Sequence, residues 1–118
     1  MLIKKNIYKA LLIILFAFVY SVEAAAATNR WWVADNDGTD KYWNNNANWS
    51  TTRYGSGGAS APTNNSFIAN FTDASTVDAK LSANVYKIRK LKVLNGYSGN
   101  INLNGYHLAS TQGPMIND

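Results

Sequence analysis

Apolar residues fall into two regimes along this chain. Ala10 to Tyr20, ALLIILFAFVY, is one uninterrupted, uncharged apolar run. Beyond Thr28 the apolar positions thin out, and where they gather they alternate with polar ones. Period-two alternation marks a half-buried strand, whereas a helix needs an apolar stripe recurring every three to four residues. Asn, Gly, Ser and Thr are spread too evenly for such a stripe to run beyond a turn or two. The strand candidates are RWWVA at 30–34, SFIANF at 66–71, STVDAKL at 75–81, NVYKIRKLKVL at 84–94 and NINLNGYHLAS at 100–110. In STVDAKL, Val77, Ala79 and Leu81 share a face, and in NINLN so do Ile101 and Leu103. The pattern predicts an all-β chain.

The 84–94 run changes phase. Tyr86 and Ile88 share one parity and Leu91 and Val93 the other, so one straight strand cannot turn all four toward a single core. A bulge or corner at Arg89–Lys90 resolves the conflict. Two short strands meeting at a corner is how the rungs of a parallel β-helix turn. A bulged strand in a small β-sandwich produces the same pattern. The spacing leans toward stacking. Leu81 and Leu103 are 22 residues apart, as are Val85 and His107, with Leu108 next to the latter. A repeat in the low twenties is a solenoid period. The tripeptide NGY recurs at 95–97 and 104–106, in each case after an alternating stretch, where Asn-Gly serves as a turn.

The apolar run at the start has a different meaning. Lys4, Lys5 and Lys9 precede it and the small-residue stretch SVEAAAAT follows it, the plan of a secretory signal peptide. The run is short for a membrane span, which needs about 20 apolar residues. Cleavage is expected after Ala24 or Ala26, which places the mature chain outside the cell with no membrane segment. The expected division is a signal peptide at 1–26, a Trp-rich cap with a Gly/Ser loop at 27–65, and β rungs at 66–118 that continue in a longer chain. With no cysteine, the chain has neither disulfide staples nor a lipid attachment site.

Removing that segment also changes the charge. Eight Lys and Arg against six Asp leave the remainder at +2, so the headline +4 is weak evidence for nucleic acid, and none is expected as a partner. KIRKLK at 87–92 is the one basic cluster and reads as a solvated strand face. The remainder has no Glu, a single His and 15 Asn. That inventory is poor in acids, bases and nucleophiles, and Asp73, Asp78 and His107 form no recognisable pair or triad. No catalytic residues and no resident cofactor are expected.

All four tryptophans lie in RWWVADNDGTDKYWNNNANWS, residues 30–50. Clustered carboxylates at Asp35, Asp37 and Asp40 with a glycine between them suggest a calcium loop. The register does not fit an EF-type loop. Counted from Asp35, Gly38 falls at position four instead of six, and position twelve is Asn46 where a bidentate Glu is needed. An Asx-rich turn accounts for the stretch without metal. Trp31, Trp32, Trp43 and Trp49 offer rings for stacking on a sugar, yet each also brings a large area to a core short of Leu and Ile. Adjacent Trp31 and Trp32 point to opposite faces of a strand, which singles them out as the pair in which one ring is exposed. TTRYGSGGASAPTNN at 51–65 reads as a flexible loop and lacks the Lys-Ser/Thr of a phosphate cradle.

The residues Trp32-Val33, Trp43, Ala47-Asn48-Trp49-Ser50, Gly57-Gly58-Ala59-Ser60, Pro62-Thr63, Phe67 and Phe71 stand in an order that resembles the amino-terminal, Trp-rich region of bacterial secreted β-helix surface proteins of autotransporter-like or adhesin-like type. The resemblance spans roughly residues 30 to 110. It implies the start of a right-handed parallel β-helix, with the Trp segment packed as a cap over the first rung. It also implies a non-enzymatic secreted or cell-surface role toward a glycan or a host surface. VADNDGTDKYW departs from the glycine-rich turn of that pattern, and NNSFIANF lacks its Asp before the strand. The alternatives are a small carbohydrate-binding β-domain and the amino-terminal piece of a polysaccharide-degrading enzyme.

Overall fold

A computed structural model describes residues 25–116; the signal-peptide expectation falls almost wholly outside them. The described chain is mostly strand with almost no helix. Its strands are β1 (Thr28–Trp32), β2 (Trp49–Ser50), β3 (Phe67–Phe71), β4 (Ala79–Lys80), β5 (Val85–Ile88), β6 (Lys90–Val93), β7 (Ile101–Asn102), β8 (Leu108–Ser110) and β9 (Met115–Ile116). A single 3₁₀ turn at Asn46–Asn48 is capped by the Asn45 side chain, which accepts from the Ala47 N–H.

Three sheets result. The largest has the order β2-β1-β3-β6-β9, and β4 pairs β7 while β5 pairs β8. All these pairings are parallel except that of β1 with β2. The partners keep one spacing. Ile68 faces Lys90, Ala79 faces Ile101 and Ile88 faces Ser110, each 22 residues on; Lys92 faces Met115 and Val85 faces Leu108, each 23 on. Thr28 opposite Phe67 is the exception, because residues 33–66 are inserted between β1 and β3.

The phase change in 84–94 is present but has two parts. A bend at Arg89 separates β5 from β6, as the pattern required. A second irregularity lies inside β5. Lys87 has φ of 59°, and the register against β8 slips by one residue between Val85 and Ile88. The extra residue puts Val85 and Ile88 in the core and leaves Tyr86 54% exposed. Tyr86 and Ile88 therefore do not share a face. Leu103 also departs from expectation at 45% exposure, because β7 ends at Asn102 and Asn104-Gly105 turn the chain with φ of 51° and 80°. STVDAKL is strand only at its end. Upstream, the Thr72 hydroxyl accepts from the Ala74 N–H and the Ser75 hydroxyl from the Val77 N–H, and these local bonds compete with a ladder.

The core is built on rings. Trp32, Trp43, Trp49 and Phe71 are fully buried, with Leu81, Val85, Ile88, Ala69 and Ala79 around them. Trp49 meets Trp32, Trp43 and Phe71 edge-on at centroid distances of 5.2, 5.0 and 5.5 Å. Tyr97 extends the cluster, 5.0 Å from Phe71. Such edge-to-face contacts suit the ring quadrupole, and each buried ring removes on the order of 200 Å² from water. The Gly/Ser segment is not a flexible linker. The Gly58 and Ala59 N–H groups donate to the carbonyls of Asn46 and Trp49, Pro62 is fully buried, and a side chain at Gly57 would meet the Ala47 carbonyl. The Trp-rich stretch and the strands after residue 66 share one core and one sheet.

Candidate functional site

The tryptophans are placed by their indole N–H groups as well as by packing. Trp32 Nε1 donates to the Val77 carbonyl at 2.9 Å, Trp43 Nε1 to the Pro62 carbonyl at 2.9 Å, and Trp49 Nε1 to the Trp43 carbonyl at 2.6 Å. A buried indole without an acceptor would bear the cost of desolvating that donor; here each one is satisfied. No sugar reaches these three rings. Trp31 points from the other face of β1 and is half-buried, so it is the one of the four whose ring meets solvent. It stands opposite Asn70 on β3 and Ser50 on β2.

The acidic stretch forms the wall of a polar cleft. After β1 the chain loops out through Asp35, Asp37 and Asp40, all exposed, and returns so that Tyr42 bridges in parallel to Lys80. Asp37 closes the turn on itself. Its Oδ1 accepts from the Thr39 N–H at 3.0 Å and the Thr39 hydroxyl at 2.7 Å, and its Oδ2 accepts from Lys41 Nζ at 2.8 Å. The Lys41 bond first, and those from Thr39 after it, hold the Asp37 carboxyl well below the usual carboxylate range. Asp40 accepts from Lys80 Nζ at 3.0 Å, which raises the lysine, and the ammonium lies 6.0 Å from the Tyr42 ring centre. Between this loop and the strand segments Thr76–Lys80 and Asn102 lies a cleft of about 400 Å³. A shallower cavity of about 340 Å³ adjoins it along Asp35, Asn36 and Asp73 to Val77.

This geometry does not gather a calcium cage. Among the described residues no three acidic or histidine side chains converge. Asp37 and Asp40 are engaged by different lysines, while Asp35 takes part in neither pair. The cleft instead presents amides, hydroxyls and charges already paired with each other. Asp78 at its rim accepts from the Asn100 backbone N–H at 2.7 Å, a bond between residues 22 apart that repeats the strand spacing. That spacing in the sequence was the available signal for Asp78 and Asn100.

Two further groupings lie elsewhere. Arg53 and the Tyr54 hydroxyl both bond to Asp73, at 2.7 and 3.1 Å, and Arg53 above all lowers the Asp73 carboxyl. His107, the single histidine, lies on another sheet from the cleft and stacks on Tyr86 with centroids 6.4 Å apart and planes at 21°. Tyr97 is pushed up, mainly by burial. The resolved shifts thus move Asp37 and Asp73 down and Arg53, Lys80 and Tyr97 up, all away from neutrality. No known family model matches the chain, and neither the curated proteins nor the solved structures contain a match to it.

Proposed function

We propose that the chain is a secreted or cell-surface structural segment of adhesin-like character, without catalysis of its own. On this reading it begins a right-handed parallel β-helix whose tryptophans plug the first rung, and it presents its outer faces to a glycan or another cell surface. The carrying observation is the common spacing: three separate parallel ladders repeat at 22 or 23 residues around one core. A chain that visits three sheets in the same order on each circuit builds a stacked scaffold whose rungs contact their neighbours. A solenoid end exposes apolar core and strand edges, and a cluster of buried rings beside the antiparallel β2 is a physical cover for one. Support for a non-catalytic role comes from the direction of the pKa shifts, since general acid–base work at neutral pH wants groups tuned toward it. The readout is location: protease applied to intact producing cells should degrade the full-length product while a cytoplasmic marker survives. Protection of the chain until the cells are lysed would overturn the surface role.

A further inference from the structure

Charge is segregated around the circuit of the chain. All five described carboxylates lie either in the loop after β1 (Asp35, Asp37, Asp40) or in the connection from β3 to β4 (Asp73, Asp78). The cations there are neutralised, Lys41 by Asp37, Arg53 by Asp73 and Lys80 by Asp40. At the corner where β5 turns into β6 the situation is reversed. Lys87, Arg89, Lys90 and Lys92 follow one another there, and among the described residues none forms an ion pair.

The fold aims these groups outward. Leu91 and Val93 pack on the core, so strand alternation turns Lys90 and Lys92 to the opposite face. Both are half-buried, as expected where aliphatic stems lie along the sheet and ammonium groups reach water. Lys87 is exposed at the bulge. Arg89 is anchored at the bend, Nε donating to the Asn65 carbonyl at 3.1 Å and Nη1 to the Ala25 carbonyl at 3.3 Å. Beside them Tyr86 is 54% exposed, an aromatic surface next to a row of cations. Four like charges in six residues, with the carboxylates held elsewhere, make a local positive potential that a polyanion relieves.

We propose that this ridge, Lys87, Arg89, Lys90 and Lys92 with Tyr86 at its side, is a docking surface for an anionic polysaccharide. Carboxylate or sulfate groups meet the cations, and a pyranose face meets the Tyr86 ring. The choice of a polysaccharide over other polyanions rests on the surface role proposed above; the charge segregation does not.

The test uses the purified full-length chain with polygalacturonate as the carboxylated probe and heparin as the sulfated one. Binding to at least one should weaken roughly tenfold or more between ~50 and ~200 mM salt, as ion release requires. The double variant Lys90→Glu/Lys92→Glu should lose about tenfold or more in affinity, since each rim charge is reversed rather than removed. Arg53→Gln, which removes a cation already paired, should bind as the parent does. Should the double variant misfold by circular dichroism, Lys87→Asn serves in its place, because Asn tolerates positive φ; it should weaken binding severalfold. Absence of binding to both probes at low salt, or binding indifferent to these substitutions, would overturn the docking surface. Tighter binding to duplex DNA or to vesicles of anionic phospholipid would overturn the polysaccharide assignment. Protease protection in intact cells would remove the surface role and leave the binding measurements standing, so the two failures are distinguishable.

Discussion

The indole N–H of Trp32 donates to the carbonyl of Val77, 45 residues further along the chain, at 2.9 Å. This bond joins β1 to the segment that leads into β4, so a residue of the Trp-rich stretch helps hold the start of a different sheet. The same ring packs 5.2 Å from Trp49 and 5.6 Å from Phe71. One side chain thus ties three segments through packing and one polar contact.

The neighbouring tryptophans should therefore respond very differently to truncation. Trp32→Ala removes a fully buried ring and strands the Val77 carbonyl, and large aromatic truncations in cores cost about 3–5 kcal/mol. For a small domain with a total stability of about 5–10 kcal/mol that is most of the margin. Trp31→Ala, at a half-buried site on the opposite face, should cost roughly 1 kcal/mol. Urea unfolding followed by circular dichroism separates the two; equal losses would contradict the burial difference.

This contrast also shows what the sequence could reveal. Alternation forces Trp31 and Trp32 to opposite faces, but period-two geometry does not say which face is the core. The ladder spacing was legible from Leu81 with Leu103 and from Val85 with Leu108, because stacked rungs repeat in sequence what they repeat in space. The fate of Tyr86 and Leu103 was not. Each depends on residues with positive φ, Lys87 and Asn104, and lysine carries no local signal for that conformation. Nor did the glycines of 51–65 announce packing. Glycine permits both a flexible linker and a close approach, and only the position of Ala47 decides for the latter at Gly57. The carboxylates of 35–40 are legible as a turn, but their lysine partners include Lys80, which is 40 residues from Asp40.

Acid stability follows from those pairs. Asp37 and Asp73 have folded-state pKa values depressed by Lys41 and Arg53 respectively. A depressed carboxyl contributes stability that is present above its ordinary value of 3.8 and is lost as pH falls through the folded-state value. The melting temperature should hold from neutrality to about pH 4 and then decline. Because both groups are at the surface, the decline should be gentle and weaker still at high salt. Asp37→Asn should flatten it further. At the other extreme, Tyr97 is raised by burial above its ordinary 10.0, so stability is present below that pH and falls as the phenol is forced to ionise. Melting scans across both ranges check the two signs.

Calcium should leave the melt unchanged. Asp37 commits both oxygens to Thr39 and Lys41, and Asp40 is held by Lys80, so a cation would have to displace two ammonium groups to recruit them. Hard-cation sites offer six to eight oxygens, and among the described residues no three carboxylates converge. Thermal unfolding with millimolar calcium and again with excess chelator should superimpose. A calcium-dependent rise of several degrees would restore Asp35, Asp37 and Asp40 as ligands.

Lys87 gives the most specific stability prediction. Its φ of 59° is a left-handed conformation in which Cβ crowds the following carbonyl, at a cost of roughly 1–2 kcal/mol for an ordinary residue. The side chain is exposed, so nothing in the core compensates locally. The strain persists because the bulge allows Val85 and Ile88, two residues apart in the ladder sense yet three in sequence, both to enter the core. Lys87→Gly removes the Cβ conflict but gains freedom in the unfolded chain, so the net gain should be about 0.5–1 kcal/mol. Lys87→Asn should stabilise by a similar or smaller amount, since its side chain tolerates this region. Lys87→Val should destabilise by more than about 1 kcal/mol, because β-branching makes positive φ a true outlier. The order Gly and Asn above Lys above Val in urea midpoint is the expected result. A valine variant as stable as the parent would mean that the chain can slip register between β5 and β8, and that the bulge is not what seats Val85 and Ile88.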